Sequence, residues 1–246
     1  MQGNGALPLH VACSIQPMTR LLFDLYPEAI LIRNKRGQLP VDVVRSRENE
    51  LSISTRDDEE NEEIERLHEL VEFFDTQMRY ACLAQDGTAM RTPESNGLLP
   101  LHNAIRDGAP LGSIKLLVKG NPIAINVSDG IGMLPLDIAS QSSTLGVVKY
   151  LAELSSDRLN ACDVNKNFPL HHACRGGNCE VIVYLLETPL SSAAVSERNV
   201  DGMLPIHLFC DFVRFQGAAA EGRDNPKYTE TIWRLLTAYP ETVLNW

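Results

Sequence analysis

The sequence predicts an all-α solenoid of six short helical repeats joined by hairpin turns. Three observations carry that expectation. An apolar residue followed by Pro recurs at Leu7-Pro8, Leu39-Pro40, Leu99-Pro100, Leu134-Pro135, Phe168-Pro169 and Leu204-Pro205. Four of the five intervals lie near about 34 residues and the other is longer by about 26, a period that belongs to stacked helical units. Further positions keep the same register: Gly5, Gly37, Gly97, Gly132 and Gly202 stand two residues before the apolar one, and only Lys166 departs.

Each element of the unit has a physical reading. Asn34, Asp129, Asp163 and Asn199 open a tight turn, with Gln2 and Glu94 as weaker counterparts. The following Gly is free to take positive φ. Pro then suits the first turn of a helix, where its missing N–H is not needed. Two residues on stands His10, Asp42, His102, Asp137, His171 or His207, and two beyond that is Ala12, Ala104, Ala139 or Ala173, with Val44 and Phe209 as exceptions. The small residue lets a neighbouring helix approach. A second apolar helix follows, Met18 to Leu25 in the first unit and Glu180 to Glu187 in the fifth. Four residues before each turn residue the chain is apolar again, at Ile30, Met90, Ile125, Leu159 and Val195.

Gly-x-Leu-Pro-Leu-His-x-Ala resembles the ankyrin signature, most closely from Phe168 to Leu186, where Gly177-Asn178 matches the family's turn between helices. The resemblance spans nearly the whole chain as one continuous domain, residues 1–246, with repeats starting near 2, 34, 94, 129, 163 and 199. Family members usually have Thr before the Pro, which caps the helix and is worth about 1 kcal/mol. Leu and Phe cannot cap, so they are expected to be buried between repeats. Tyr26-Pro27-Glu28, Pro122 and Tyr239-Pro240-Glu241 replace the family's glycine-containing turn after the second helix. The resemblance also implies that the recurrent His bonds backbone between repeats.

Two insertions interrupt the register. One, at about 45–61, leads through acidic Asp57–Glu65 into a lengthened helix expected from about Asn61 to Leu83, with Ile64, Leu67, Val71, Phe74 and Met78 on one stripe. The other, at about 211–227, reads as a loop. The last helix carries Ile232, Trp233, Leu235 and Leu236, and the register runs on through Val243. The chain is therefore expected to be a segment of a longer array with an apolar edge at its C-terminal end.

With 44 % hydrophobic residues the 246-residue chain can bury a sizeable core. Its net charge of −10 disfavours nucleic acid and anionic membranes as partners and favours a protein with a basic face. No apolar run reaches the roughly 18 residues of a membrane helix, and no signal peptide is seen. The six Cys are scattered, which points to reduced thiols and a cytoplasmic or nuclear setting. Cys174 and Cys179 lack the second pair that a closed zinc shell needs. Phosphate-loop, His-Glu-x-x-His and Gly-x-Ser-x-Gly motifs are missing, so no catalytic, metal or cofactor residue and no small-molecule substrate is assigned.

The function implied by the resemblance is a protein-binding scaffold; the alternative is a regulatory or targeting array within a larger enzyme. Carried over by position, the binding candidates at the turn tips are Lys35, Arg36, Gln38, Met133, Asn165, Asn167, Asp201 and Met203. Those on the concave face of the first helices are Arg106, Asp107, Gln141 and Arg175, with Ser14, Ser142 and Asp211 beside them.

Overall fold

The computed structural model describes residues 8–12, 16–52, 58–86, 98–189, 194–216 and 225–240, and these are helical with no strand among them. The first helix of each repeat starts at Pro: α1 Pro8–Val11, α3 Pro40–Ser52, α5 Pro100–Arg106, α7 Pro135–Ser142, α9 Pro169–Gly176 and α11 Pro205–Gln216. Each is followed by a second helix: α2 Gln16–Leu25, α4 Asp58–Gln85, α6 Leu111–Gly120, α8 Leu145–Leu154, α10 Cys179–Glu187 and α12 Pro226–Ala238. Short 3-10 turns at Pro27–Leu31, Pro122–Asn126 and Ser156–Asn160 follow α2, α6 and α8. The repeat starts expected near 2 and 94 lie outside the described residues.

Packing divides the chain into two compact units, Met1–Thr92 with Ala109–Pro122, and Pro93–Gly108 with Ile123–Trp246. The first unit is built around α4. Its core holds Leu9, Phe23, Ile30, Val41, Val44, Leu67, Leu70, Phe74, Ala81 and Leu116. α4 packs on α3 along one side and on α6 along another. α6 approaches so closely that a Cβ on Gly120 would meet the Ala84 carbonyl oxygen at 2.5 Å. A buried hydrogen bond from the Ser113 hydroxyl to the Gln77 side chain joins the two helices. Asp24 ties α2 to α6: its carboxylate accepts the Gly112 N–H at 2.7 Å and its carbonyl accepts Lys115 Nζ at 2.8 Å.

The first insertion lengthens the helices on either side of it. Most of 45–61 is helix, because α3 runs on to Ser52 and α4 begins at Asp58. Arg45 forks onto Asp75 at 2.7 Å, Arg47 donates twice to Glu63, and His68 lies 3.2 Å from Glu48, so the extra turns of α3 are held by the acidic side of α4. The buried stripe of α4 is Leu67, Leu70, Phe74, Gln77, Tyr80 and Ala81, whereas Ile64, Val71 and Met78 are half-buried. A helix packed on two neighbours buries more than one row, which a single-stripe reading cannot show.

In the second unit the first helices stack in chain order, α5 on α7, α7 on α9 and α9 on α11, while α8, α10 and α12 form the accompanying row. Backbone approach is again close: a Cβ on Gly176 would collide with the Gln141 carbonyl oxygen. Gly177, at φ 67°, leaves α9 in the left-handed conformation, and Asn178 Nδ2 donates to the Ser143 carbonyl of the preceding turn at 2.7 Å. The second insertion is also shorter than expected, since α11 reaches Gln216 and α12 starts at Pro226; residues 217–224 lie outside the description. On α12, Leu235 is buried, Ile232 and Leu236 are half-buried, and Trp233 is 65 % exposed.

Burial of the residue before each Pro is uneven. Leu99 and Leu204 are buried, but Leu39, Leu134 and Phe168 are only half-buried, and Leu7 lies outside the description. Their helices are not left uncapped. His102 and His207 Nδ1 accept the backbone N–H of Leu99 and Leu204, His171 Nδ1 that of Phe168, and the carboxylates of Asp42 and Asp137 those of Leu39 and Leu134, at 2.8–3.3 Å. This is the reciprocal half of a capping box, with the missing Thr replaced at the third helical residue.

Candidate binding surface: turns and first helices

The turns are built around polar side chains, buried at Asp129, Asp163 and Asn199 and half-buried at Asn34. In each of 34–38, 129–133, 163–167 and 199–203 the leading Asn or Asp accepts two backbone N–H groups, two and four residues on, at 2.8–3.0 Å. Its own N–H donates to the carbonyl four residues on. The chain reverses through positive φ at Gly37, Gly132 and Gly202, and Lys166 adopts φ 58° at the same position. Arg33 and Arg198 add a repeated bond of 2.6 Å to the Gly37 and Gly202 carbonyls. Nothing in the spacing pointed to that pair beyond the shared Arg-Asn dipeptide.

Neighbouring turns are wired together in the second unit. His172 Nε2 donates to Asp163 at 3.1 Å, Asn167 Nδ2 donates to the same carboxylate, and Asn199 Nδ2 donates to Asn167 Oδ1 at 3.0 Å. All four side chains are buried. Arg106 holds the buried Asp129 carboxylate at 2.8 Å. Asp137 is buried as well, and burial pushes its carboxyl up to about 7; the Leu134 N–H opposes the rise, while Asp163 and Asp129 add to it.

The recurrent histidines share a structural position. His10 Nε2 bonds the Gln38 carbonyl at 3.0 Å, at the end of the next turn, and His102 Nε2 the Val127 carbonyl at 2.9 Å, two residues before the next turn. Burial lowers the pKa of His102, His172 and His207, and takes His171 down to about 4. For His171 the Met203 and Glu197 carbonyls offset part of that burial, although Nε2 itself is outside hydrogen-bonding geometry. Burial also raises the thiols of Cys174 and Cys210, which suits packing rather than reactivity. Among the described residues, no three or more His, Cys, Asp or Glu groups are arranged to hold a metal ion.

Of the tip candidates, Lys35, Arg36, Asn165 and Asp201 are exposed, and Gln38 and Met203 are half-buried. Arg106, Asp107 and Arg175 are exposed on the first helices, with Gln141 half-buried. Two candidates are corrected. Met133 is buried, and Asn167, at 2 % exposure, belongs to the hydrogen-bonded chain between turns. Their register position, between the turn and the residue before Pro, points inward; Leu98 is buried there too. Arg106 is exposed but committed to Asp129. The tips also carry an apolar set that no spacing in the sequence marks, Ile131, Val164 and Val200, exposed by 59 %, 71 % and 56 %. Val164 and Val200 occupy equivalent places in successive turns, which are joined by a bond from Val200 N–H to the Asn165 carbonyl.

Repeated Pro-started helices, close-packed partners and turns of one hydrogen-bond design define a helical-repeat protein. Residues 165–195 match the ankyrin repeat family model. Alpha-latrotoxin-Lg1a of Latrodectus geometricus is 28 % identical over 131 residues, 53 % of this chain and 9 % of the relative. Alpha-latrotoxin-Lh1a of Latrodectus hasselti is 30 % identical over 128 residues, 51 % of this chain. The chain thus spans 9 % of the length of each of these relatives. No described helix is long and apolar enough to cross a membrane.

Proposed function

We propose that residues 1–246 form a six-repeat ankyrin array that binds a partner protein through its turn tips and the face of its first helices. The observation that carries this reading is the division of labour in each turn. Asn34, Asp129, Asp163 and Asn199 spend their side chains on the turn backbone. Lys35, Arg36, Asn165, Asp201 and the three apolar tip residues project outward on a frame that does not need them. Rigid scaffolds with variable exposed loops are where binding residues concentrate. The net charge of −10 supports a partner with a basic face.

The test is capture of binding proteins by the wild-type chain and by a variant carrying Arg36→Ala, Val164→Asp, Arg175→Ala and Asp201→Ala. All four positions are exposed, so melting should change little, each substitution staying within about 0.5 kcal/mol. Loss of a specific partner with unchanged melting supports the reading. Capture that is indifferent to these changes sinks it.

A further inference from the structure

A cleft of about 450 Å³ opens in the first unit between α1 and α3, beside the turn at 34–38. Its length comes from the first insertion. α3 has 13 residues where α7 and α9 have eight, and the added residues bring Glu50 to the lining beyond Ser46 and Arg47. Val11 and Val43 line it too, with Val11 69 % exposed. The bond between His10 and the Gln38 carbonyl fixes its tip end.

The charges of this cleft are unequal in an informative way. Arg47 is neutralised by Glu63 at 2.7 Å. Arg36 and Glu50 have no oppositely charged side chain within 4 Å among the described residues, although both are exposed and line the same cleft. Arg36 sits in the turn before α3, and Glu50 lies ten residues beyond Pro40 along the helix, roughly 15 Å by helical rise. An extended chain covers that distance in about five residues.

We infer that the cleft holds an extended segment of the partner that carries a carboxylate side chain at the Arg36 end, a cationic side chain at the Glu50 end and an aliphatic residue between them over Val11 and Val43. The inference rests on the protein-binding reading and adds the chemistry of one contact. Charge sets the direction in which the segment lies, and the valines supply apolar cover for its centre. Although the whole chain is acidic, the tip end of this cleft selects an acid, because contacts nearer than the roughly 8 Å Debye length at physiological salt outweigh the distant charges.

The test uses acetylated, amidated peptides Glu-Ala-Val-Ala-Lys and Lys-Ala-Val-Ala-Glu, with Gln-Ala-Val-Ala-Gln as the neutral control, titrated into the isotope-labelled chain. The expected result is that one charged peptide shifts the Val11, Gln38, Val43 and Ser46 amides and binds at least about fivefold more tightly than the control, the scale of one exposed ion pair. A variant with Arg36→Glu and Glu50→Lys together should exchange the preference between the two charged peptides, with an unchanged helical signal in circular dichroism. Equal affinity for all three peptides, shifts elsewhere, or no binding at millimolar peptide overturns the inference. The two readings fail separately: a charge-swapped chain that still captures the native partner at full strength removes this cleft alone, whereas a wild-type chain without a partner removes the protein-binding reading.

Discussion

At the scale of single residues, the fold depends on where it puts charge and positive φ. Asp137 occupies the position at which four other repeats have His, and it lies buried near Asp129 and Asp163. With its carboxyl pushed up to about 7 against about 3.9 unfolded, the native state binds more protons between those values. Its contribution to stability therefore rises as pH falls from above 7 toward 4. Asp137→Asn keeps an acceptor for the Leu134 N–H and removes the charge; it should stabilise by about 2 kcal/mol at pH 8 and change little at pH 5, read from denaturant midpoints. Lys166 is the one described non-glycine at positive φ, where a side chain is strained. Lys166→Gly should stabilise by up to about 1 kcal/mol. Arg106 and Arg175 look alike in the sequence but behave differently. Arg106→Ala should cost about 1–2 kcal/mol because it leaves the buried Asp129 carboxylate without its partner, whereas Arg175→Ala should be near neutral in thermal melting.

At the scale of elements, contact between helices is set by small residues rather than by bulk. Gly176 lets the end of α9 lie against the Gln141 carbonyl of α7, and Gly120 does the same for α6 against Ala84. A methyl group in either place collides with backbone, which cannot rotate away. Gly176→Ala should therefore cost more than about 2 kcal/mol despite its better helix propensity. Arg45→Ala on α3, which removes an exposed ion pair with Asp75, should cost less than about 1 kcal/mol. The reverse order in chemical denaturation would show that the surface pairs, not the close approaches, hold these helices. The first helices and their Pro starts were legible because Gly-x-Leu-Pro fixes local backbone choices. The extent of α3 was not: Arg45 to Ser52 reads as an insertion until the acids of α4 are seen to pair with Arg45 and Arg47.

At the scale of the whole molecule, the buried histidines and Asp137 oppose each other in pH. His102, His171, His172 and His207 are held below their ordinary value chiefly by burial, so the native state keeps them neutral while the unfolded chain protonates them below about 6.5. Stability from these groups is full above that pH and is lost as pH falls through it toward about 4, the value for His171. Asp137 acts in the other direction from above 7 downward. The stability curve should therefore peak near about pH 6–7, and Asp137→Asn should flatten its alkaline limb while leaving the acid limb in place. A curve rising steadily to pH 9 would contradict this assignment.

The sequence by itself determined the period, the turn positions, the Pro-started helices and the ankyrin resemblance, because each rests on bonds made within a few residues. Asn or Asp closing a turn, Gly at positive φ and Pro at a helix start need no distant partner. It also marked most of the exposed tips, Lys35, Arg36, Asn165 and Asp201 among them. Only the tertiary structure decided that Asn167 and Met133 face inward, that Arg106 is taken up by Asp129, and that Arg36 and Glu50 line one cleft with no charge partner among the described residues. These outcomes depend on which groups from other turns and helices arrive alongside. A side chain's neighbours across a stack are many residues away in the chain, so burial and charge pairing at those positions are properties of the packed helices.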